Sequence, residues 1–200
     1  MNALDVCAVT FCYGNGAVNA LEKFSLAVPD GGMHALLGPN GAGKSTLMRI
    51  ITGQLKDYSG SVTVYGRMIP DRDALLSIGY VPQPISLYTG LTAMENLRFF
   101  GAMAGMTADR IGARALEVLE RTGLAGHARA LVSTYSGGMQ RRLNIAVALL
   151  HSPTLLLLDE PTVGIDPQSR HHIYETLAEL NAAGMTVLLS THIMEEAQRL

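Results

Sequence analysis

The apolar positions in the first part of the chain fall into short runs separated by turn residues, which is typical of β-strands. Residues 4–11 and 23–28 are rich in β-forming side chains, and the turn-rich link YGNGAVNA lies between them. Three more runs have the same character: MHALLG, the alternating GSVTVYG, and IGYVPQ, which ends at prolines. Helical spacing begins only in PNGAGKSTLMRIITG, directly after MHALLG.

From residue 92 to residue 150 the apolar positions take helical spacing, in TAMENLRFFGAM, TADRIGARALEVLERTG and YSGGMQRRLNIAVALL. The rest of the chain predicts, in order, a strand at Thr154–Leu158, a helix in PQSRHHIYETLAELNAAG, a strand at Met185–Ser190 and a last helix reaching Leu200. Strand and helix alternate on both sides of a helical middle. The pattern therefore predicts an α/β core with a helical insertion.

Composition narrows the class of protein. The 200 residues are 48% apolar and 16% charged, which predicts a globular chain of about one domain. The formal net charge of −2 argues against a broad basic surface, so we expect no nucleic-acid partner. The start MNALDVCAVTFCYG lacks the features of a secretory signal, and no apolar run reaches the ~18–20 residues of a membrane span. We therefore expect a cytosolic chain that would reach a membrane only through a partner.

The segment GPNGAGKST fills the phosphate-loop pattern G-x-x-x-x-G-K-[ST] between a predicted strand and a predicted helix. Glycines let backbone N–H groups converge on phosphate oxygens, and the helix N-terminus adds positive potential. Lys44 can reach the β- and γ-phosphates, and the Ser45 hydroxyl can ligate Mg²⁺. The nucleotide-binding candidates here are Gly38, Pro39, Asn40, Gly41, Ala42, Gly43, Lys44, Ser45 and Thr46.

The segment LLLLDEP supplies two acids at the end of an apolar strand. Asp159 is placed to hold the shell of a Mg²⁺ ion at the phosphate-facing end of a parallel sheet. Glu160 is placed to polarise a water that attacks the γ-phosphate. The alternative is a solvated acidic pair at a strand end, which the phosphate loop makes the weaker interpretation.

A second anion-binding candidate opens the helix YSGGMQRRLNIAVALL. Ser136, Gly137 and Gly138 form a small polar triplet at a helix start, where an anion is favoured. An N-capped core helix would explain Ser136, but two successive glycines cost helix stability. Because the chain already has one phosphate loop, the sequence pattern raises the question of which phosphate this triplet would bind.

These motifs, in this order, resemble the ATP-binding cassette family over essentially all 200 residues. YSGGM resembles the family's signature motif. Tyr13 matches the aromatic residue that stacks on adenine, and Gln83 in YVPQ matches the glutamine of the Q-loop. Asp166 in VGID matches the D-loop, and His192 in STH matches the switch histidine. Each match is weak alone, but together they are specific.

The resemblance implies a P-loop NTPase core, an antiparallel β subdomain at about 1–30 and 60–68, and a helical subdomain at about 91–152. It implies ATP and Mg²⁺ as cofactors, with Ser45, Gln83 and Asp159 at the metal. The implied catalytic residues are Lys44, Gln83, Glu160 and His192. In this family two cassettes face each other head to tail, so that each signature motif closes on the partner's ATP. A membrane permease is the other implied partner, holding the chain at the inner face of the membrane.

Met139 stands where the family's signature usually has glutamine, and YSGGM followed by arginines resembles cassettes of drug, antibiotic and polysaccharide exporters. We therefore expect an ATPase subunit of an exporter. A cassette of the translation or repair type and a regulatory cassette with little turnover stay open as alternatives. Because the family continues beyond the switch histidine with further elements, we also expect the C-terminal part to be truncated.

Overall fold

The computed structural model describes residues 1–14 and 19–198. Its strands are β1 (Asn2–Cys12), β2 (Asn19–Pro29), β3 (Met33–Leu37), β4 (Ser59–Val64), β5 (Arg67–Met68), β6 (Ile78–Val81), β7 (Leu155–Asp159) and β8 (Thr186–Thr191). Its helices are α1 (Lys44–Ile51), α2 (Arg72–Leu76), α3 (Ala93–Met103), α4 (Ala108–Arg121), α5 (Gly137–Leu149), α6 (Pro167–Ala182) and α7 (Met194–Ala197). Two short 3-10 turns, Ala125–His127 and Val132–Thr134, lie between α4 and α5.

The first sheet is antiparallel, with the strand order β2-β1-β4-β5. Its central strand β1 pairs on both sides, so that Leu4 lies opposite Val28 in β2 and Val64 in β4. The register shifts around Ala8, whose φ of 47° is left-handed, and such a bulge bends the strand.

The second sheet is parallel, with the strand order β3-β8-β7-β6. All five residues of β7 and all six of β8 are buried, as the continuous apolar sequence of a two-sided parallel sheet requires. Because the four strands run in the same direction, their carboxyl ends lie along one edge. The loops that follow them meet there.

Two hydrophobic cores lie on opposite faces of the parallel sheet, since successive side chains of a strand point to opposite sides. Leu156 and Leu158 of β7 pack with α3, α4, α5 and α6. Leu155 and Leu157 pack with α1 and the antiparallel sheet. The sheet therefore joins the helical part to the antiparallel part.

The helical region between β6 and β7 is held by local and tertiary contacts. Thr92 and Glu95 form a reciprocal capping box that starts α3. The buried Asn96 amide accepts from the Tyr88 N–H at 2.9 Å and donates to the Tyr88 carbonyl at 3.0 Å. The segment that leads into α3 is thus tied to the helix.

The structure confirms the expected α/β class, with a phosphate-loop core, a small antiparallel sheet and a helical insertion. Strands β1 and β2 are longer than predicted, and the five-residue helix α2 was missed. Residues 15–18 of the expected link and the end of the expected last helix at 199–200 lie outside the described residues. Within the described part, no helix is both long and apolar enough to cross a bilayer.

Candidate nucleotide-binding site

The phosphate loop joins β3 to α1 and depends on glycine at two positions. Gly41 and Gly43 have φ values of 82° and 86°, in the left-handed region that favours glycine. A Cβ at Gly43 would also lie 2.4 Å from the Ala20 carbonyl oxygen. The Gly38 N–H donates to the Thr191 carbonyl at 3.2 Å, so the loop begins beside the end of β8.

Lys44 is the first residue of α1, and its ammonium is buried inside the loop. Its Nζ donates to the carbonyl oxygens of Gly38 at 2.8 Å and Pro39 at 3.0 Å. The same Nζ lies 3.2 Å from Glu160 Oε1 in an ion pair. The loop therefore holds a positive charge where the sequence predicts phosphates.

Asp159 and Glu160 follow one another at the end of β7, and Ser190 of β8 connects them. The Ser190 hydroxyl donates to Asp159 Oδ1 at 2.6 Å and accepts from the Glu160 N–H at 3.1 Å. Glu160 has a φ of 47°, which is strained for a residue with a side chain. This turn directs the Glu160 side chain towards Lys44.

Two other predicted site residues also contact the Glu160 carboxylate. Gln83, which follows β6, has Nε2 3.5 Å from Glu160 Oε2. His192, which follows β8, has Nδ1 3.3 Å from the same oxygen. Loops after four parallel strands thus bring Lys44, Gln83, Glu160 and His192 together.

One cavity of about 430 Å³ lies against the phosphate loop. Its lining residues are Tyr13, Ala20, Asn40, Gly41, Gly43, Lys44, Ser45, Thr46, Gln83 and Glu160. The half-exposed Tyr13 ring is fixed by an edge-on contact with Phe11 and by a 3.2 Å hydrogen bond between its hydroxyl and Thr46 Oγ1. Ala42 completes the loop, with its N–H donating to the Pro39 carbonyl at 3.3 Å.

The three predicted metal ligands lie around an adjoining cavity. Ser45, Gln83 and Asp159 all line it. Hydroxyl, amide and carboxylate oxygens are the hard donors that Mg²⁺ prefers, and Mg²⁺ usually completes its shell with water and substrate phosphates. This donor set fits Mg²⁺, although no group of three His, Cys, Asp or Glu side chains in the described residues could hold a metal.

The signature residues and the D-loop residue Asp166 lie away from the cavity beside Lys44. Ser136, Gly137, Gly138 and Asp166 are absent from the lining of the cavity beside Lys44. Ser136 caps α5 by accepting from the Met139 N–H at 3.2 Å, and Asp166 caps α6 by accepting from the Ser169 N–H at 2.9 Å. The two helix starts are neighbours.

Packing supplies a reason for Gly138 that the sequence argument left out. A Cβ at Gly138 would lie 2.1 Å from Ser169 Oγ, whereas a Cβ at Gly137 would meet nothing within 4 Å. The approach of α6 therefore requires glycine at position 138, and the contact of Gly138 with a phosphate stays a prediction. Gly137 has no such explanation in packing.

Sequence reasoning missed two buried charged residues beside the site. Arg141 of α5 donates to the main chain at Pro82 and Gln83. Glu196 of α7 accepts hydrogen bonds from Thr162 and Thr191. The position of Arg141 at the start of the apolar stretch RRLNIAVALL could have indicated a buried charge. The carbonyl groups that it contacts could not be predicted from the sequence.

The fold and the site define a nucleotide-binding α/β protein of the phosphate-loop class. The family profile described as "ABC transporter" matches residues 21–163. The chain therefore belongs to the ATP-binding cassette family, which confirms the resemblance seen in its motifs.

Two relatives are named as ATP-binding proteins, one for antibiotic resistance and one for export. The linearmycin resistance ATP-binding protein LnrL of Bacillus subtilis (strain 168) is 50% identical over 185 residues, which are 92% of this chain and 60% of the relative. The Nod factor export ATP-binding protein I of Rhizobium meliloti (strain 1021) is 48% identical over 200 residues, which are 99% of this chain and 59% of the relative. The chain thus spans less than two thirds of either relative.

A solved structure supports the fold over nearly the whole chain. The dimeric post-hydrolysis state of the ATP-binding cassette MJ0796, bound to ADP and Pi, has a TM-score of 0.84 and 31% sequence identity. The match covers 98% of this chain and 90% of that chain. That neighbour binds ADP and Pi, in agreement with a nucleotide-binding class for this fold.

Proposed function

We propose that this chain is the ATP-binding and ATP-hydrolysing subunit of an exporter and that it works as a dimer of cassettes. The observation that carries the proposal is the convergence of Lys44, Gln83, Glu160 and His192 beside the phosphate loop. The relative named for Nod factor export supports export as the direction of transport.

In the proposed reaction the phosphate loop and Lys44 bind the β- and γ-phosphates of ATP, and Tyr13 stacks on the adenine. Glu160 accepts a proton from the attacking water, while Gln83 and His192 hold its carboxylate in place. A Mg²⁺ ion held by Ser45, Gln83 and Asp159 would neutralise charge on the phosphates. ATP and Mg²⁺ are therefore the proposed cofactors.

The second cassette is proposed because Ser136, Gly137 and Asp166 lie apart from the chain's own cavity. Ser136 accepts from Met139 N–H, so its hydroxyl hydrogen remains available to a phosphate oxygen. A head-to-tail partner would bring its phosphate loop to this helix start. The similar cassette MJ0796, which is dimeric with ADP and Pi bound, supports a dimer of cassettes.

The membrane partner is proposed to dock beside the Q-loop. Tyr88 and Phe99 stack edge to face at 4.8 Å, and their exposed fractions of 50% and 39% are large for aromatic side chains. Met103, on α3 together with Phe99, is 74% exposed. Such a patch is typical of an interaction surface. The chain would thereby sit on the cytoplasmic face of the membrane through its permease.

ATP hydrolysis by the purified chain tests the proposed activity, measured with Mg²⁺ and with a chelator. Glu160→Gln should lower turnover by about 10²–10⁴-fold while ATP still binds, because it keeps the shape and removes the base. Glu179→Gln, on the exposed face of α6, is the matched control. Equal turnover in wild type and Glu160→Gln would contradict the role of Glu160, and a wild type that binds ATP without turnover would be a regulatory cassette.

A further inference from the structure

Arg141 connects α5, the signature helix that begins at the signature motif, to the Q-loop through two hydrogen bonds. Its Nη1 donates to the Pro82 carbonyl at 2.7 Å, and its Nη2 donates to the Gln83 carbonyl at 2.5 Å. Arg141 lies five residues after Ser136 on α5, and Gln83 is 58 positions away in the sequence. One side chain thus spans from the helical region to the loop after β6.

Arg141 is buried, so its guanidinium would be destabilised without these hydrogen bonds. The residue is only 4% exposed, and burying a charge requires compensating hydrogen bonds. Burial lowers the pKa of its guanidinium, and the nearby Asp159 carboxylate opposes that shift. Within the described part of the chain its Nε has no hydrogen-bond partner, so the two carbonyls receive its strongest contacts.

The two carbonyls belong to the segment that carries the Gln83 side chain into the site. Gln83 Nε2 lies 3.5 Å from Glu160 Oε2, and the side chain lines both cavities beside the phosphate loop. A fork of two donors on consecutive carbonyls fixes the orientation of this backbone, which a single donor would leave free to rotate. The position of Gln83 therefore depends on the position of α5.

We propose that Arg141 is a positioning residue that holds Gln83 in the nucleotide site and ties its position to that of the signature helix. This inference rests on the proposed function. It adds a physical connection between the two composite sites of a dimer, each formed by the phosphate loop of one chain and the signature motif of the other. A phosphate bound at the start of α5 would bias Gln83 in the chain's own site through Arg141.

Arg142 provides a matched control on the same helix. Its Nη1 also donates to two main-chain carbonyls, those of Thr122 at 3.0 Å and Gly123 at 3.2 Å. These carbonyls follow α4 and lie outside the Q-loop. Arg142→Met therefore removes a comparable clamp without touching Pro82 or Gln83.

Hydrogen exchange in the nucleotide-free chain tests the clamp directly. Arg141→Met should speed exchange of the amides of Gln83 and of residues 85–88 by about tenfold or more relative to wild type, because that segment loses its fixed carbonyls. Arg141→Lys should restore part of the protection, since it keeps the charge without the planar fork. Arg142→Met should leave residues 83–88 unchanged. Equal exchange at 83–88 in both methionine variants would overturn the proposal.

Steady-state kinetics test whether Arg141 acts through Gln83. Arg141→Met should lower kcat by about 10- to 100-fold, with KM for ATP changed by less than about threefold, because the phosphate loop stays intact. In a Gln83→Ala background the same substitution should cost little more. An equal loss in both backgrounds would overturn the route through Gln83. If the wild type fails to hydrolyse ATP, the proposed function falls, and the exchange experiment still decides the role of Arg141.

Discussion

The Lys44 ammonium lies 3.2 Å from the Glu160 carboxylate, and their side chains are only 7% and 8% exposed. The proposed phosphate-binding cation and the proposed base are thus already one buried ion pair. Removing one member of such a pair leaves the other charge without its main partner. The effects of substituting Lys44 and Glu160 on the free energy of unfolding should therefore be coupled, as should their effects on function.

Lys44→Ala should weaken ATP binding by about 10- to 100-fold, because a charge-assisted hydrogen bond to phosphate is lost. It should also lower the free energy of unfolding by about 1–3 kcal/mol, since Glu160 keeps only Gln83 and His192. The Lys44→Ala, Glu160→Ala double variant should be destabilised less than the sum of its single variants. Calorimetric titration with ATP and chemical unfolding measure both effects, and strictly additive losses would contradict the coupling.

Gly137 and Gly138 should respond in opposite ways to alanine. Gly138→Ala should lower the free energy of unfolding by about 1–3 kcal/mol, because its Cβ would overlap Ser169. Gly137→Ala, with open space around it, should raise that free energy by up to about 1 kcal/mol. Unfolding in denaturant measures both variants. Equal effects would show that packing against α6 does not set the requirement at Gly138.

Glu196 joins the loops that follow β7 and β8. The buried Thr191 hydroxyl accepts from the Ile193 N–H at 3.0 Å and donates to Glu196 Oε2 at 2.6 Å, and Thr162 donates to Oε1. Burial, helped by the Glu196 carboxylate, raises the pKa of Tyr174 to about 12.

Glu196→Leu should therefore lower the free energy of unfolding by about 1–3 kcal/mol, because two buried hydroxyls lose their acceptor. Glu196→Gln, which keeps one acceptor, should cost less. The exposed neighbour Glu195→Gln is the control and should change little. Thermal unfolding of the three variants checks the order, and a Glu196→Leu variant as stable as the control would contradict it.

His151 should make the fold sensitive to acid. Burial lowers the pKa of its imidazole below the ordinary 6.5, and its Nε2 lies 3.0 Å from the Ile78 carbonyl. Below pH 6.5 the unfolded chain therefore binds more protons at this imidazole than the folded chain does. The stability that this group contributes is present above pH 6.5 and is lost as the pH falls towards the lower pKa of the folded state. His151→Gln should flatten this part of the stability curve, whereas the exposed His171→Gln should not. Identical pH dependence in both variants would contradict the shift.

Local motifs made much of the site predictable. GPNGAGKST and LLLLDEP are contiguous, and parallel strands necessarily bring their following loops to one edge, so Lys44 and Glu160 could be expected to meet. Contacts between distant segments could not be read in this way. The target of Arg141, the Ser169 approach to Gly138 and the Glu196 contacts depend on how separate helices pack. Helix α2 was missed because its five residues are too few to show a period.

The measurement that tests the central claim most directly is ATP occlusion by a mixed dimer of one Ser136→Arg chain and one Lys44→Ala chain. If each signature serves the partner's phosphate loop, both lesions fall on one composite site and the other site is intact. We then predict that the mixed dimer occludes one ATP, while each homodimeric variant occludes none. If each signature served its own chain, every site would carry one lesion. A mixed dimer that occludes no ATP, beside a wild-type dimer that does, would contradict the composite site.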